Sequence, residues 1–431
     1  MKCLFWTVLM LVALASWTAA EDIELRVNGD RLNQRFVDLA RFGKNAEGGI
    51  DRYAFSDADI ESRPFLKKSL EDAGLEVRVD EAGNIFGRRK GSRPDLPPIV
   101  FGSHTDSVAN GGMFDGPVGT LSAIEVAHVI NERGITTLHP LEVVIFTDEE
   151  GGLVGSKALI GELTPGALEQ VSHSGKTISE GIEALGGNPA LLANVVRTKG
   201  DIAAYIEIHI EQGRILDSEK IDIGVVEGIV GISWWTVTIE GSANHAGTTP
   251  MNLRNDALLA AAELVIAVNR VVTSSPGSQV GTVGRIQAEP GVPNVIPGRV
   301  EMSLELRDLS QVKADSLFKS IKREAEKIAR ETGTKISFSP SETNTTPSLT
   351  DPQVREAIVE SAEKLGLSYK LMPSGAGHDA QSMAKIAPIG MIFVPSVGGI
   401  SHSPKEYSRP GDIENGANAL LLTILKIDRR L

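Results

Sequence analysis

Pro98-Ile99-Val100-Phe101-Gly102-Ser103-His104-Thr105-Asp106 and Leu141-Glu142-Val143-Val144-Ile145-Phe146-Thr147-Asp148-Glu149-Glu150-Gly151 share one plan, a short apolar run that ends in polar, chemistry-bearing residues. Pro98 to Phe101 and Leu141 to Phe146 read as strands buried on both faces, and Gly119 to Arg133 between them has helical spacing. Strand, helix, strand is the signature of an α/β fold with a parallel sheet. Ala203 to Ile210 and Met391 to Val394 read as further strands of that sheet. In an open α/β sheet, ligands sit outside the carboxyl ends of the strands. The residues that follow each run are therefore the ones to read for function.

Working outward, Arg31 to Phe42 and Ser62 to Ala73 are predicted helices, the second stopped by Gly74 in C-cap position, and Leu75 to Val79 alternates like a strand. Between Ile210 and Met391 the character changes. Trp234 to Glu240 alternates, Asn255 to Val271 is helical, Val280 to Gln287 and Val300 to Arg307 read as strands, Lys313 to Thr332 is a helix, and Lys335 to Pro340 alternates. That order is the split ferredoxin-like plan. The expected fold class is α/β, an open, mostly parallel sheet as catalytic domain with an inserted ferredoxin-like α+β dimerisation domain. The catalytic domain is expected over residues 21–231 and 346–431, and the insertion over residues 232–345.

The chain has 431 residues, enough for two or three domains at roughly 100–200 residues each. Its 41% hydrophobic and 23% charged content is that of a folded globular protein. A formal net charge of −13 opposes nucleic acid or an anionic membrane surface as partner. Lys2, the apolar run Cys3 to Ala15, and the small residues Thr18 and Ala20 predict a signal peptide over residues 1–20, cleaved after Ala20, and so an exported protein. The apolar run is shorter than the roughly 20 residues a spanning helix needs. The one cysteine, Cys3, lies within it, so the mature chain offers no thiol chemistry.

Five of the eight histidines sit at strand ends or in glycine-rich turns, several beside carboxylates. His128, on a predicted helix, and His139 and His173, in loops, read as structural or surface residues. His104 can ligate a metal, Asp106 two residues on can fix its tautomer, and Asp115 follows in a glycine-rich loop. Asp148-Glu149-Glu150-Gly151 closes a second strand, where one carboxylate can bind a cation while its neighbour moves protons. Glu207-Ile208-His209-Ile210-Glu211-Gln212-Gly213 closes a third, and Gly399-Ile400-Ser401-His402-Ser403-Pro404 supplies a late histidine. Together these form a nitrogen and oxygen donor set suited to zinc, with manganese, cobalt or nickel also able to fill it. There is no His-Glu-x-x-His helix and no Gly-x-Ser-x-Gly elbow, and Gln170 stands where a phosphate loop ending at Lys176-Thr177 needs glycine.

These motifs, with His245-Ala246-Gly247, Asn294-Val295-Ile296-Pro297-Gly298 and Ser374 to Asp379, resemble in order those of the dinuclear amidohydrolases that include N-carbamoyl-L-amino acid hydrolases and allantoate and ureidoglycolate amidohydrolases. The resemblance spans nearly the whole mature chain. It implies two divalent metal ions per subunit, His104 and His209 on one, Glu150 and His402 on the other, and Asp115 bridging. It implies Glu149 as general base, Asp106 orienting His104, and Gln212 touching the carbamoyl group. His245, Asn294 and Arg307 would reach a substrate carboxylate across a homodimer interface, with Gly375 and His378 also at the substrate and His245 assisting catalysis. The expected reaction is hydrolysis of N-carbamoyl-L-amino acids to amino acid, carbon dioxide and ammonia. Alternatives are allantoate or ureidoglycolate hydrolysis, then a peptidase or aminoacylase, then an exported binding protein. One departure stands out. Family members commonly carry an Arg-Phe-containing stretch after Glu-Glu-Gly, whereas here Gly151-Gly152-Leu153-Val154 runs straight into Gly155-Ser156.

Overall fold

The computed structural model describes residues 25–341 and 343–431, so the predicted signal peptide lies outside the described residues. Strands β1 (Glu76–Val79), β2 (Ile85–Arg89), β3 (Ile99–His104), β4 (Leu141–Phe146), β5 (Ala204–Ile210) and β6 (Ile223–Ile229) belong to a first sheet. The chain then builds β7 (Gly231–Glu240), β8 (Asn244–His245), β9 (Val280–Thr282), β10 (Ile286–Glu289), β11 (Val295–Ile296), β12 (Arg299–Asp308) and β13 (Lys335–Pro340). It returns to the first sheet with β14 (Ser348–Leu349), β15 (Tyr369–Ser374) and β16 (Ile389–Val394).

The first sheet runs in the order β1-β2-β4-β3-β5-β16-β6-β14, with β15 also on β6. Its centre, β4-β3-β5-β16, is entirely parallel, so four carboxyl ends open on one edge. Every residue of these four strands is buried. Alternate side chains enter two cores, as a pleat of period two requires. Ile99, Phe101, Val143 and Ile145 pack with helices Pro117–Glu132 and Pro410–Arg430, whereas Val100, Val144, Tyr205 and Phe393 face Leu159 and Met383. The C-terminal helix was not read from the sequence, although Ile413, Leu420, Leu421, Ile424 and Ile427 keep helical spacing along it. Among the described residues no helix is long and apolar enough to cross a membrane.

The second sheet is antiparallel, in the order β10-β12-β7-β13, with β9 also on β12. Helices Ala257–Thr273 and Gln311–Thr332 pack against it around Leu264, Leu304, Leu317 and Ile321. Two readings need correction. The single strand expected over Val280 to Gln287 is two, because Thr282 pairs with Glu305 and Ile286 with Met302, so residues 283–285 face only 303–304 and the chain bulges there. The helix expected from Asn255 begins at Ala257, because the Asp256 carboxylate accepts the Leu258 and Leu259 amides and so acts as the N-cap.

Gly102 lies two residues before the histidine that ends β3. Its φ is +151°, and an added Cβ would lie 1.9 Å from the Val144 carbonyl oxygen. Gly102→Ala must therefore push β3 from β4, and we expect a loss of about 3 kcal/mol of stability with weakened metal binding. Chemical denaturation of the variant beside the wild type checks this.

Candidate metal centre

The four parallel strands deliver the site. β3 ends in His104, and the Thr120 hydroxyl bonds its carbonyl at 2.8 Å. β4 leads through Asp148, at φ +52°, into the single helical turn Glu149–Gly152. β5 carries His209 and is followed by Gln212 at φ +55°, and the loop after β16 brings in His402 at φ +53°. Left-handed backbone at non-glycine residues costs of order 1–3 kcal/mol each, and it collects where geometry is functional.

Asp115 is the hub. Its Oδ1 lies 3.1 Å from His209 Nε2 and 4.0 Å from His104 Nε2, while Oδ2 lies 3.1 Å from His402 Nε2. Glu150 Oε1 stands 3.6 Å from His402 Nε2, and Glu149 Oε2 stands 3.7 Å from His104 Nε2. Two donor triads result, His104-Asp115-His209 and Asp115-Glu150-His402, the donor atoms of each lying within 4.8 Å of one another. Within these triads Glu150 Oε1 is buried and lacks a hydrogen-bond partner. Nitrogen and oxygen atoms converging on a shared carboxylate, one of them unsatisfied, fit a divalent cation. A third group, Glu207-His209-His378, fits poorly. Glu207 already accepts from the Ser103 and Tyr205 hydroxyls and the Ala380 amide, and His378 Nε2 is 2.9 Å from Ser374 Oγ.

The charge balance points the same way. Burial, then the neighbouring Asp115, pushes the Glu150 carboxyl up to about 7, and burial with Asp106 nearby pushes Asp148 up to about 7. Glu149 is raised well above the carboxylate range, first by burial. Burial also opposes the charge of Asp115, but hydrogen bonds from His209 and His402 outweigh it and hold that group well below its ordinary value. The same bond from Asp115 lifts His402 to about 9. Crowded acids here hold protons that a cation would displace.

Asp106 stands beside His104 and carries a second task as well. His104 Nδ1 is 3.1 Å from the Asp106 carbonyl oxygen and 3.6 Å from its carboxylate, which also accepts the amides of Glu149 and Glu150 at 3.3 and 3.1 Å. Residue 106 thus faces the imidazole with both backbone and side chain, and the side chain also fixes the acidic turn. Glu406 went unread in the sequence. It accepts the Phe114 and Asp115 amides, each at 3.0 Å, and the Ser401 hydroxyl and His402 amide at 3.1 and 3.3 Å, tying the two loops together. Its only sequence signal is a carboxylate four residues after His402. Gly116 is required too, since a Cβ there would lie 2.4 Å from the His104 ring.

A cavity of about 210 Å³ opens over the triads, lined by Glu149, Gln212, Gly377 and His378 among others. His378 is 1% exposed, its ring 4.4 Å from that of His209, so it packs the ligand histidine more than it faces solvent. His245 and Asn294 are not among the lining residues; they are exposed beside the β8–β11 pair. His245 Nδ1 accepts the Gly247 and Thr248 amides at 3.0 and 3.2 Å, which places the ring proton on Nε2. Arg307 pairs with Glu305 and donates through Nη1 to the Gly375 carbonyl at 2.6 Å. His139 is buried against the Pro97 carbonyl, and His128 lies beside Arg35. His173, read as structural or surface, lines a second chamber beside the centre.

A ligand imidazole must be neutral. Because His402 holds its proton up to about pH 9, metal must displace that proton at lower pH, so affinity rises with pH. We expect Zn2+ affinity of the Asp115-Glu150-His402 group to increase about tenfold per pH unit from 7 to 9, and more steeply below pH 7, where Glu150 also carries a proton. Calorimetric titration in buffers of different ionisation enthalpy counts the released protons; a flat profile would contradict the assignment.

Comparison with known proteins places these features in a family. The chain is 42% identical to an N-carbamoyl-L-amino acid amidohydrolase of Geobacillus stearothermophilus over 406 residues, covering 93% of this chain and 99% of that protein. It is 37% identical to a ureidoglycolate hydrolase of Arabidopsis thaliana over 415 residues, 94% of this chain and 87% of that one. A crystal structure of an amidase of the hydantoinase/carbamoylase family from Burkholderia multivorans superposes with a TM-score of 0.87 at 37% identity, covering 94% of this chain and 98% of the other. The model of peptidase family M20/M25/M40 matches residues 100–426, which include every residue of the two donor triads, and the chain belongs to that family.

Proposed function

We propose that this protein is a metal-dependent amidohydrolase that cleaves the ureido C–N bond of N-carbamoyl-L-amino acids, releasing L-amino acid, carbon dioxide and ammonia. The observation that carries the ureido reading is Gln212. Its Nε2 donates to Asp115 Oδ2 at 2.8 Å, while its Oε1 is buried without a hydrogen-bond partner, an acceptor ready for the NH2 of a carbamoyl group. His104, Asp115 and His209 would hold one divalent ion, and Asp115, Glu150 and His402 would hold a second, with zinc the metal that the donor chemistry favours. Bound there, the ions supply Lewis-acid polarisation of the scissile carbonyl and a lowered pKa for the attacking water.

The remaining steps fall to side chains. Glu149, half-buried beside His104 and lining the cavity, takes the proton of the attacking water and passes it to the leaving nitrogen. Asp106 keeps Glu149 and Glu150 in place through their amides. His245, with its proton on Nε2, steadies negative charge on the carbamoyl oxygen, and Arg307 with Asn294 takes the substrate carboxylate. The family resemblance and the two named hydrolases support this reading.

A panel of N-carbamoyl-L-amino acids, allantoate, ureidoglycolate and dipeptides, assayed for ammonia or amino acid release with and without chelator, tests it. We expect fastest turnover of the carbamoyl substrates, abolished by chelation. Glu149→Gln should lower kcat by about a thousandfold while retaining metal, measured by elemental analysis. Faster cleavage of dipeptides, or loss of metal in that variant, would refute the assignment.

His245 and Asn294 stand outside the cavity they are proposed to serve, which supports a homodimer in which each subunit's second sheet caps its partner's metals. Leu258, Leu259 and Ile266 project from one helix of that sheet, and β10 presents an open edge with Ile286 49% exposed. Mixing His245→Ala with Glu149→Gln, each inactive alone, should restore about a quarter of wild-type activity after random exchange, since half the dimers then hold one intact site. No recovery despite proven exchange would place His245 in its own subunit's site.

A further inference from the structure

Arg307 lies near the end of β12, and three of its five N–H donors are already engaged. Nε and Nη2 donate to the two carboxylate oxygens of Glu305, at 2.6 and 3.1 Å, and Nη1 donates to the Gly375 carbonyl at 2.6 Å. One N–H remains on each of Nη1 and Nη2. Gly375 opens the loop whose next residues, Ala376, Gly377 and His378, line the cavity over the metal triads. The guanidinium therefore reaches the rim of that cavity with two donors to spare.

Glu305 holds its other edge. It lies two residues before Arg307 on β12, on the same face of the pleat, and is only 8% exposed. Register places it opposite Trp234 of β7 on one side and Thr282 of β9 on the other, at the separation where cross-strand side chains touch. An ordinary surface pair on the same strand looks different. Arg299 meets Glu301 through Nη2 alone, at 3.1 Å, and both side chains are more exposed than those of Glu305 and Arg307. A two-bond fork on a buried carboxylate fixes the plane of a guanidinium as well as its place. Glu305 itself is not among the residues lining the metal-centre cavity.

We infer that Glu305 is a positioning residue for the substrate carboxylate: by filling the Nε edge of Arg307 it fixes the plane in which the two remaining N–H groups meet that carboxylate. The inference rests on the role given to Arg307 in the proposed function. Glu305 touches no reacting atom, so its loss weakens binding without slowing the chemical step. A glutamine at this position offers one oxygen and turns an NH2 group toward an N–H donor, so the fork cannot form.

The test compares the metal-loaded wild type with Glu305→Gln, Glu305→Asp and Arg307→Lys on N-carbamoyl-L-methionine. N-carbamoyl-L-methioninamide, which lacks the carboxylate, is followed as a competing ligand. Glu305→Gln is expected to raise KM for the acid about tenfold with kcat within about threefold, and Arg307→Lys to raise KM at least as much. Glu305→Asp keeps the carboxylate on a shorter stem and is expected to recover part of the loss. The Ki of the amide is expected to stay within about twofold of wild type in Glu305→Gln, because a ligand without a carboxylate gains nothing from an oriented Arg307. A merely structural ion pair would weaken acid and amide alike, and that result overturns the inference. An unchanged KM for the acid in Glu305→Gln beside a raised one in Arg307→Lys also overturns it and leaves the proposed function standing. A lowered KM in Glu305→Gln would show Glu305 competing with substrate, the opposite role. An unchanged KM in Arg307→Lys removes the role of Arg307 and this inference with it. Wild type that leaves N-carbamoylmethionine uncleaved refutes the proposed function alone, and the same comparison then runs on whichever of allantoate, ureidoglycolate or dipeptide it cleaves.

Discussion

The carboxylate of Asp115 faces two histidines through one oxygen and a third through the other, and the surrounding structure is arranged to keep it there. Ser401 and Gln212 add hydrogen bonds to the outer oxygen, at 3.0 and 2.8 Å. Glu406 holds the Asp115 backbone from below and the His402 loop from the side, so the two donor triads cannot shift independently. A buried acid that must serve two sets of ligands leaves little tolerance. Hence a glycine at 116, where any side chain would enter the His104 ring, and left-handed backbone at Asp148, Leu153, Gln212 and His402.

Such a site concentrates destabilising features, namely strained residues, buried carboxylates and unpaired polar atoms, and the scaffold beneath it is correspondingly dense. The strands that carry the ligands are buried on both faces and feed two separate cores. Arg52 links scaffold to site. Its guanidinium is fully buried and donates to the Thr105 carbonyl at 2.7 Å and the Phe42 carbonyl at 2.9 Å, pinning the backbone between His104 and Asp106 to the end of helix Gly29–Leu39. Burial lowers its pKa to about 10, which still leaves it charged near neutrality, with Asp59 and Asp106 as the nearby anions. Rigid strands and a braced backbone supply the preorganisation that electrostatic catalysis requires.

The second sheet serves another purpose. It is tethered through Val230 and through residues 343–347, and at Gly231 an added Cβ would press on Pro347, so the two crossings run in contact. His245, Asn294 and Arg307 sit on this part, and His104, Asp115, Glu149, Glu150, His209 and His402 sit on the other. Arg307 bonded to the Gly375 loop joins them.

How much of this was legible in the sequence follows from range. Short apolar runs ended by His104-Thr105-Asp106, Asp148-Glu149-Glu150 and His209 announce buried parallel strands with functional ends, because periodicity and strand-end chemistry are local properties. The ferredoxin-like order of the insertion is legible for the same reason, although the bulge at residues 283–285 is not, since it arises from register against β12. Glu406 and the second role of Asp106 were invisible, because each depends on which backbone amides approach a carboxylate from loops far apart in the chain. His173 looked like a surface loop residue until its ring was found against Tyr53 at a chamber wall, a contact across 120 residues. Sequence determined which residues could bind a metal and on which strands they end; only tertiary structure decided which atoms meet, because hydrogen-bond direction and cavity shape are fixed by packing between segments that no local pattern relates.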